Sequence, residues 1–330
     1  MNDVSSVSST VWTILGPVLG AATAGLIGFS VAWFNTRRQR ETTLNERFAT
    51  ASRLLGDEQP AVQLAGVHAM AGLADDWTEQ RQTCVNVLCA YLRIPFAPEP
   101  ADNIPLEQRL SWQAARQVRH TVIAVIREHL LPEAKHSWAG LDFDFTGAQF
   151  DGGCFDDARF SGGHVIFDDA HFTGGEVLFD GAEFTSGSVT FAGAVFAAGE
   201  VRFDGTCFDG TAVYLGEALF DGSTVRFDRA RFTGGEVRFG TANFSSGTVS
   251  FEQAEFAGSA VLFDLVSFTG STVTFNDASF TGGLVSFYGA DFTGGEVDIS
   301  TPAKWDVPAH FDDHVLASRP SALRLPPEPE

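Results

Sequence analysis

The sequence predicts a β-solenoid preceded by an N-terminal transmembrane helix and a small α-helical region. Three observations predict it: a Phe repeat that runs through the second half without a slip, an uncharged apolar run near the start, and a sharp separation of charge along the chain. At 330 residues, 44% hydrophobic and 19% charged, the chain is too apolar to be disordered and long enough for one large domain or two. Its 34 Gly and 31 Phe stand against 2 Met and 3 Tyr, a bias that signals a repeat rather than an ordinary core. The net charge of −21 argues against direct nucleic-acid binding, which needs a basic surface to meet phosphates. Residues 37–137 hold 12 basic and 12 acidic side chains, whereas residues 139–300 hold 6 and 24. Nearly all the negative charge therefore sits on one segment, which points to different tasks for the two parts.

Residues 1–10 read as a short tail, and 11–36 as a transmembrane helix. The run Val11–Phe34 carries no charge and is long enough to cross about 30 Å of hydrocarbon. Trp12 and Trp33 lie near its ends, where amphipathic rings favour the headgroup level. A secretory signal would want a basic start and a shorter apolar core, and a buried soluble helix is the plainer alternative. Arg37, Arg38 and Arg40 follow at once, so the positive-inside rule leaves the N-terminus outside and the bulk of the chain in the cytoplasm, as a single-pass plasma-membrane protein. Gly16, Gly20, Ala24 and Gly28 form a small-residue face that could pack against a second copy, as a homodimer.

Residues 37–137 form the α-helical region. ERFATASRLLGDEQ is amphipathic through Phe48, Ala51, Leu54 and Leu55, with Gly56 as its stop. Pro60 opens a second helix with an apolar stripe of Val62, Ala65, Ala69 and Leu73. Residues 79–93 make a third, residues 95–105 a Pro-rich linker, and residues 107–131 a fourth with Val118, Val122, Val125 and Ile126 inward. The expected role of the region is to join the anchor to the solenoid and cover its first coil.

The solenoid is expected over 138–300. Steps of five come first, at Phe145, Phe150, Phe155 and Phe160; the step then alternates seven and five to Phe292, giving twelve-residue units of the form A-x-F-T-G-G-x-V-x-F-D-x. In extended chain, the small or β-branched residue at i−2 and the Phe at i share one side. Gly and Asp after each Phe supply the corners. Two units, with sides of 5, 7, 5 and 7, close a four-sided coil of 24 residues with one Phe per side. Coils about 4.8 Å apart then give about seven coils and a rod roughly 32 Å tall.

The run A-G-L-D-F-D-F-T-G-A-Q-F-D-G-G-C-F-D-D-A-R-F, at 139–160, resembles the pentapeptide-repeat proteins, whose consensus is A-(D/N)-(L/F)-x-x. The resemblance covers about half the chain and implies a right-handed quadrilateral β-helix. With the anchor, L-A-D-D-W and V-L-C-A-Y-L-R, the whole looks like the membrane-anchored type common in actinobacteria. The chain departs from the simple pattern by a two-residue addition in every second unit. No functional residues follow from the resemblance, because the family motif is structural.

Little in the sequence points to chemistry, and no catalytic, cofactor or metal residue is assigned. Cys84, Cys89, Cys154 and Cys207 fit neither a disulfide scaffold nor a zinc spacing, and Cys84 and Cys89 read as core thiols. His68, His120 and His129 read as structural or surface. Asp168, Asp180, Asp204, Asp228 and Asp264 follow a Phe and read as corner caps rather than calcium ligands. His310 and His314 flank Asp312 and Asp313 but lack a third ligand for a metal. The chain is expected to be no enzyme but an acidic rod that binds an unidentified protein partner by its flat sides. The alternative comes from the resemblance: a DNA mimic that binds a type II topoisomerase. Arg202, Arg226, Arg229, Arg231 and Arg238 interrupt the negative surface that a mimic would need. Residues 301–330 are a C-terminal cap, with Trp305, Phe311 and Leu316 over the last coil, and a disordered tail at LRLPPEPE.

Overall fold

The computed structural model describes residue 33 and residues 35–327, apart from 98 and 101–103. The anchor expected over 11–36 falls outside the described residues but for Trp33, Asn35 and Thr36. Among the described residues no helix is long and apolar enough to cross a membrane. The chain divides into two compact units, Met1–Thr50 and Ala51–Glu330. In the first, residues 35–50 are helical; in the second, residues 51–55 are, and these two stretches are called α1. Gly56 closes the second stretch with its N–H on Ser52 O at 3.1 Å.

Pro60 occupies the first turn of α2 (Pro60–Asp76), where its missing N–H costs nothing. The helix buries Gly66, Val67, Met70, Ala71, Leu73 and Ala74, while Ala65 and Ala69 are exposed. The stripe expected at Val62, Ala65, Ala69 and Leu73 is thus corrected by about one position. The reason is a close crossing: a Cβ on Gly66 would lie 2.5 Å from Leu55 N, so the glycine face sets which side turns inward. α3 (Arg81–Arg93) and α4 (Leu106–Leu130) pack on α2, and Val118, Val122, Val125 and Ile126 of α4 are all buried. Cys84 and Cys89 are core thiols, which burial pushes up to about 11 and about 12.

The Phe repeat winds into parallel coils. Four columns rise up the rod: A from Phe145, B from Phe150, C from Phe155 and D from Phe160. Register fixes the coil length, because Phe160 pairs with Phe184, Phe208 with Phe232 and Phe256 with Phe280, each 24 residues apart. The first coil is two residues shorter, with Phe150 opposite Phe172. Column rings stack face to face, as in Phe160–Phe184 at 4.8 Å and 4° and Phe172–Phe196 at 4.7 Å and 2°. Around one coil, Phe167, Ala170, Phe172, Val177, Phe179, Ala182, Phe184 and Val189 all point inward and are buried. Two parallel sheets, of twelve and ten strands among the described residues, line the two long sides DA and BC.

The two-residue additions do not disturb this interior. In strands such as His171–Leu178 and Val195–Arg202 they form bulges, seen as register shifts at Phe172/Thr173 and Thr173/Glu176, and the bulges stack from coil to coil. The corners at columns A and C are β-turns: Ala170 N–H donates to Phe167 O at 3.0 Å and Ala182 N–H to Phe179 O at 3.0 Å. At these corners the residue two places after the Phe takes φ near +60°, as at Asp169, Glu217, Arg229 and Gly193.

Column A continues beyond the repeat, since Phe311 stacks on Phe287 at 4.8 Å and 4°. Trp305 tops column D edge-on to Phe280 at 4.8 Å. These residues add an eighth level to the seven coils expected. Leu316, expected as a cover, lies on α5 (Asp313–Ser318) and is exposed; Ala322 and Leu323 are buried instead. The tail expected to be disordered from Leu323 pairs there with the last coil, Leu323 opposite Val297 and Arg324 opposite Asp298. The pairing covers an open edge that would otherwise recruit another chain.

Candidate interaction surface

Inside the coils the inward side chains are buried against one another, which leaves the outer faces to meet a partner. The first coil is closed by the helices. α3 holds it through Arg93 on Asp144 and through Gln82, which donates to Asp142 O at 2.8 Å and accepts from Asp142 N at 3.0 Å. α4 sits closer still. Gly153 stands where later coils carry Val177, and a Cβ on it would lie 2.9 Å from Ile123 Cδ1. Ile123 of α4 thereby takes the valine's place in the core. Arg119 donates to Leu92 O at 2.8 Å and Gln149 O at 2.7 Å, and Arg116 and His120 converge on Asp151 at 2.7 and 3.0 Å. His129 stacks on buried Trp138 at 3.9 Å, and both contact Asp75 at 3.2 Å. His120 and His129 are thus structural, and His68 is exposed.

Burial works to raise Asp151, but hydrogen bonds from His120 and Arg116, with their charge, outweigh it and hold the carboxyl below its ordinary value. A depressed folded-state pKa contributes stability that is present above the unfolded value and is lost as pH falls through the folded one. Asp151→Asn should lower the urea midpoint at pH 7 by an amount worth about 1–2 kcal/mol. The gap between variant and parent should close as the pH falls through the depressed folded value, below the ordinary carboxylate range, where the parent carboxylate is also protonated. A gap that stays constant with pH would remove the clamp from the account.

The corner aspartates bind the coils together. Asp168 Oδ1 accepts from Ala192 N–H at 3.0 Å, Asp228 Oδ1 from Glu252 N–H at 3.1 Å and Asp264 Oδ1 from Tyr288 N–H at 3.1 Å. Each is a carboxylate reaching the equivalent corner of the next coil. Around corner C the arginines are absorbed into this ladder. Arg202 pairs with Asp180, and Arg226 reaches Asp204 at 2.7 Å, Asp228 at 2.9 Å and Glu200 at 3.4 Å. Asp204 is pushed up by burial and by Asp228 and Asp180, against the pull of Arg226.

Further along, the surface changes character. Between Phe239 and Ala303 there are seven acidic residues and no Lys or Arg. The large apolar side chains exposed on the solenoid are found here too, at Leu265, Leu284 and Tyr288, with Val307 close behind. Sequence reasoning passed over them. Their signal was readable by aligning the units, because Leu265 falls in a corner column otherwise held by Asp, Gly, Glu, Arg, Thr and Gln. Among the described residues no group of three His, Cys, Asp or Glu could hold a metal ion. His310 pairs by its backbone with Ser286, and Asp312 accepts from Gly289 N–H at 2.7 Å, so the HFDDH run serves the last turn.

The fold is a four-sided β-solenoid. No protein-family model matches the chain, and no curated protein matches it. A solved structure with some similarity is that of a trypsin-treated variant of QnrB1, a plasmid-mediated fluoroquinolone resistance protein. It is 16% identical over 49% of this chain and 84% of that one, with a TM-score of 0.16. A superposition that loose carries no argument about function, and the coil rests on its own register.

Proposed function

We propose that this chain is a non-catalytic scaffold of the pentapeptide-repeat kind. Residues 11–36 hold it in the plasma membrane, and its solenoid stands on the cytoplasmic side, offering its outer faces to a protein partner. The observation that carries the reading is the closed interior: every inward position from Phe143 to Ile299 is spent on packing, so sequence variety is confined to the outside. The uncharged run before Arg37, Arg38 and Arg40 supports the anchor and its orientation. A membrane-impermeant maleimide tests the placement at Cys207, which is half-buried on side CD. Labelling should appear only after lysis. Labelling of intact cells would put the rod outside and overturn the cytoplasmic placement.

A second reading, the DNA mimic, draws on the run from Phe239 to Ala303 without a basic residue. A supercoiling assay with a type II topoisomerase separates the two. The scaffold reading expects no effect of the full-length chain at micromolar concentration, and inhibition or protection would favour the mimic.

A further inference from the structure

We infer that the last coils carry the partner site, at corner A and the adjoining part of side DA, and that the partner presents apolar side chains flanked by Lys or Arg. The inference rests on the scaffold reading and specifies which face acts and on what chemistry.

The surface is built from two neighbouring coils. Leu265 is 59% exposed, Tyr288 58% and Leu284 48%, whereas no large apolar side chain between Trp138 and Asp264 is exposed. Leu265 and Tyr288 meet at one corner, where Leu265 N–H donates to Tyr288 O at 2.9 Å. Leu265 leans beneath Gly289, whose absent Cβ would lie 2.7 Å from Leu265 Cδ2. Leu284 lies four residues before Tyr288 on the same strand side, about 13 Å away in extended chain. Leu262 sits below Ser286, between them. Three exposed apolar side chains grouped on two neighbouring coils of an otherwise polar rod mark a contact site.

The charge around it selects the occupant. Asp264 adjoins Leu265, its Oδ1 accepting from Ser286 Oγ at 2.6 Å and Tyr288 N–H at 3.1 Å. Asp312 stands one coil above, on Gly289 N–H, and Asp291 is exposed on side AB. Arg238 lies one coil below Leu262 on side DA, where Glu236 pairs with it at 2.8 Å, and no Lys or Arg follows it before Lys304, which stands opposite Ser279. A second copy would bring an equally acidic rim against this one, which costs free energy, whereas a basic rim gains it. Earlier coils lack the apolar part, since their outward positions expose no large apolar group, and their arginines already pair within the rod: Arg202 and Arg226 at corner C, Arg159 with Glu183 and Arg238 with Glu236.

The test uses the full-length chain in phosphatidylcholine nanodiscs, with empty discs subtracted. Three fluorescent peptides serve as probes: an amphipathic Lys/Leu helix, its Glu/Leu counterpart, and a Lys/Gln version of the same charge. Anisotropy should show binding of the Lys/Leu peptide alone. Leu265→Asn together with Tyr288→Ser should weaken it by about tenfold or more with an unchanged melting temperature. Asn is chosen at 265 because it accepts the positive φ there. Equal binding to the double variant overturns this surface while leaving the scaffold reading intact. Binding of the Lys/Gln peptide as tightly, or of the Glu/Leu peptide, or of none of the three, overturns the assigned partner chemistry. Concentration-dependent dimerisation lost in the double variant makes a second copy the occupant and overturns it as well. Inhibition of topoisomerase supercoiling by both proteins would instead be a failure of the scaffold reading itself.

Discussion

Gly247→Val should cost about 3–5 kcal/mol of stability, the sum of backbone strain and overpacking. Gly247 takes φ +86° in a bulge of side BC, and a Cβ there would lie 2.3 Å from Ser223 O in the coil below. That oxygen belongs to backbone held by the next coil, so it has nowhere to retreat. The same contact recurs up both long sides: Gly199 over Gly175 O at 2.3 Å, Gly235 over Thr211 O at 2.1 Å, and Gly283 over Ser259 O at 2.1 Å. Gly205 is the matched control. It has φ +67° but nothing within 4 Å of its Cβ position, and Glu217 and Arg229 hold equivalent corners at +60° and +58°. Gly205→Ala should therefore cost only about 1–2 kcal/mol, the strain of the positive φ alone. Urea midpoints of the two variants decide the matter, and similar losses would mean that φ alone, not coil stacking, requires the glycines.

Phe251→Ala should cost about 3–5 kcal/mol, from lost transfer free energy and the cavity left behind. Phe251 is fully buried. It stacks on Phe227 at 5.0 Å and Phe275 at 4.8 Å, and meets Phe239 and Phe263 edge-on at 6.1 and 5.9 Å. Its neighbours are pinned by their own coils, so the gap cannot collapse. Phe311→Ala, at the end of column A with Phe287 on one side only, should lose less, about 1.5–3 kcal/mol. Equal losses at the two sites would show that the interior relaxes around a missing ring.

Much of the fold was legible because one constraint recurs. A Phe every five or seven residues can be buried only if the chain turns at each interval, and two units close a square where one cannot. The stacked bulges follow from the glycines, whose spacing was visible. What depends on a single partner was not visible. The face of α2 is decided by Gly66 against Leu54 and Leu55, and neither residue's own periodicity marks that crossing. Ile123 fills a valine site in the first coil only because Gly153 lets α4 approach. Leu316 reads as apolar cover, yet Phe311 and Trp305 already close their columns, and Leu323 claims the next place through its pairing with Val297. The Leu265 and Tyr288 surface was hidden for another reason: a pattern read for what repeats passes over the one unit that departs from it.

The central claim is a 24-residue, in-register coil, and a disulfide tests it most directly. Thr248 and Thr272 are register partners pointing outward on side BC. Their Cα atoms lie about one coil spacing, ~4.8 Å, apart, inside the range a disulfide spans. Thr248 and Ala260 are separated by one twelve-residue unit and sit on opposite long sides. With Cys154 and Cys207 replaced by Ser, and Cys84 and Cys89 buried and held as thiols, the Thr248→Cys/Thr272→Cys variant should oxidise to an intramolecular disulfide. The Thr248→Cys/Ala260→Cys variant should not. The reverse result would mean a twelve-residue coil and would contradict the account.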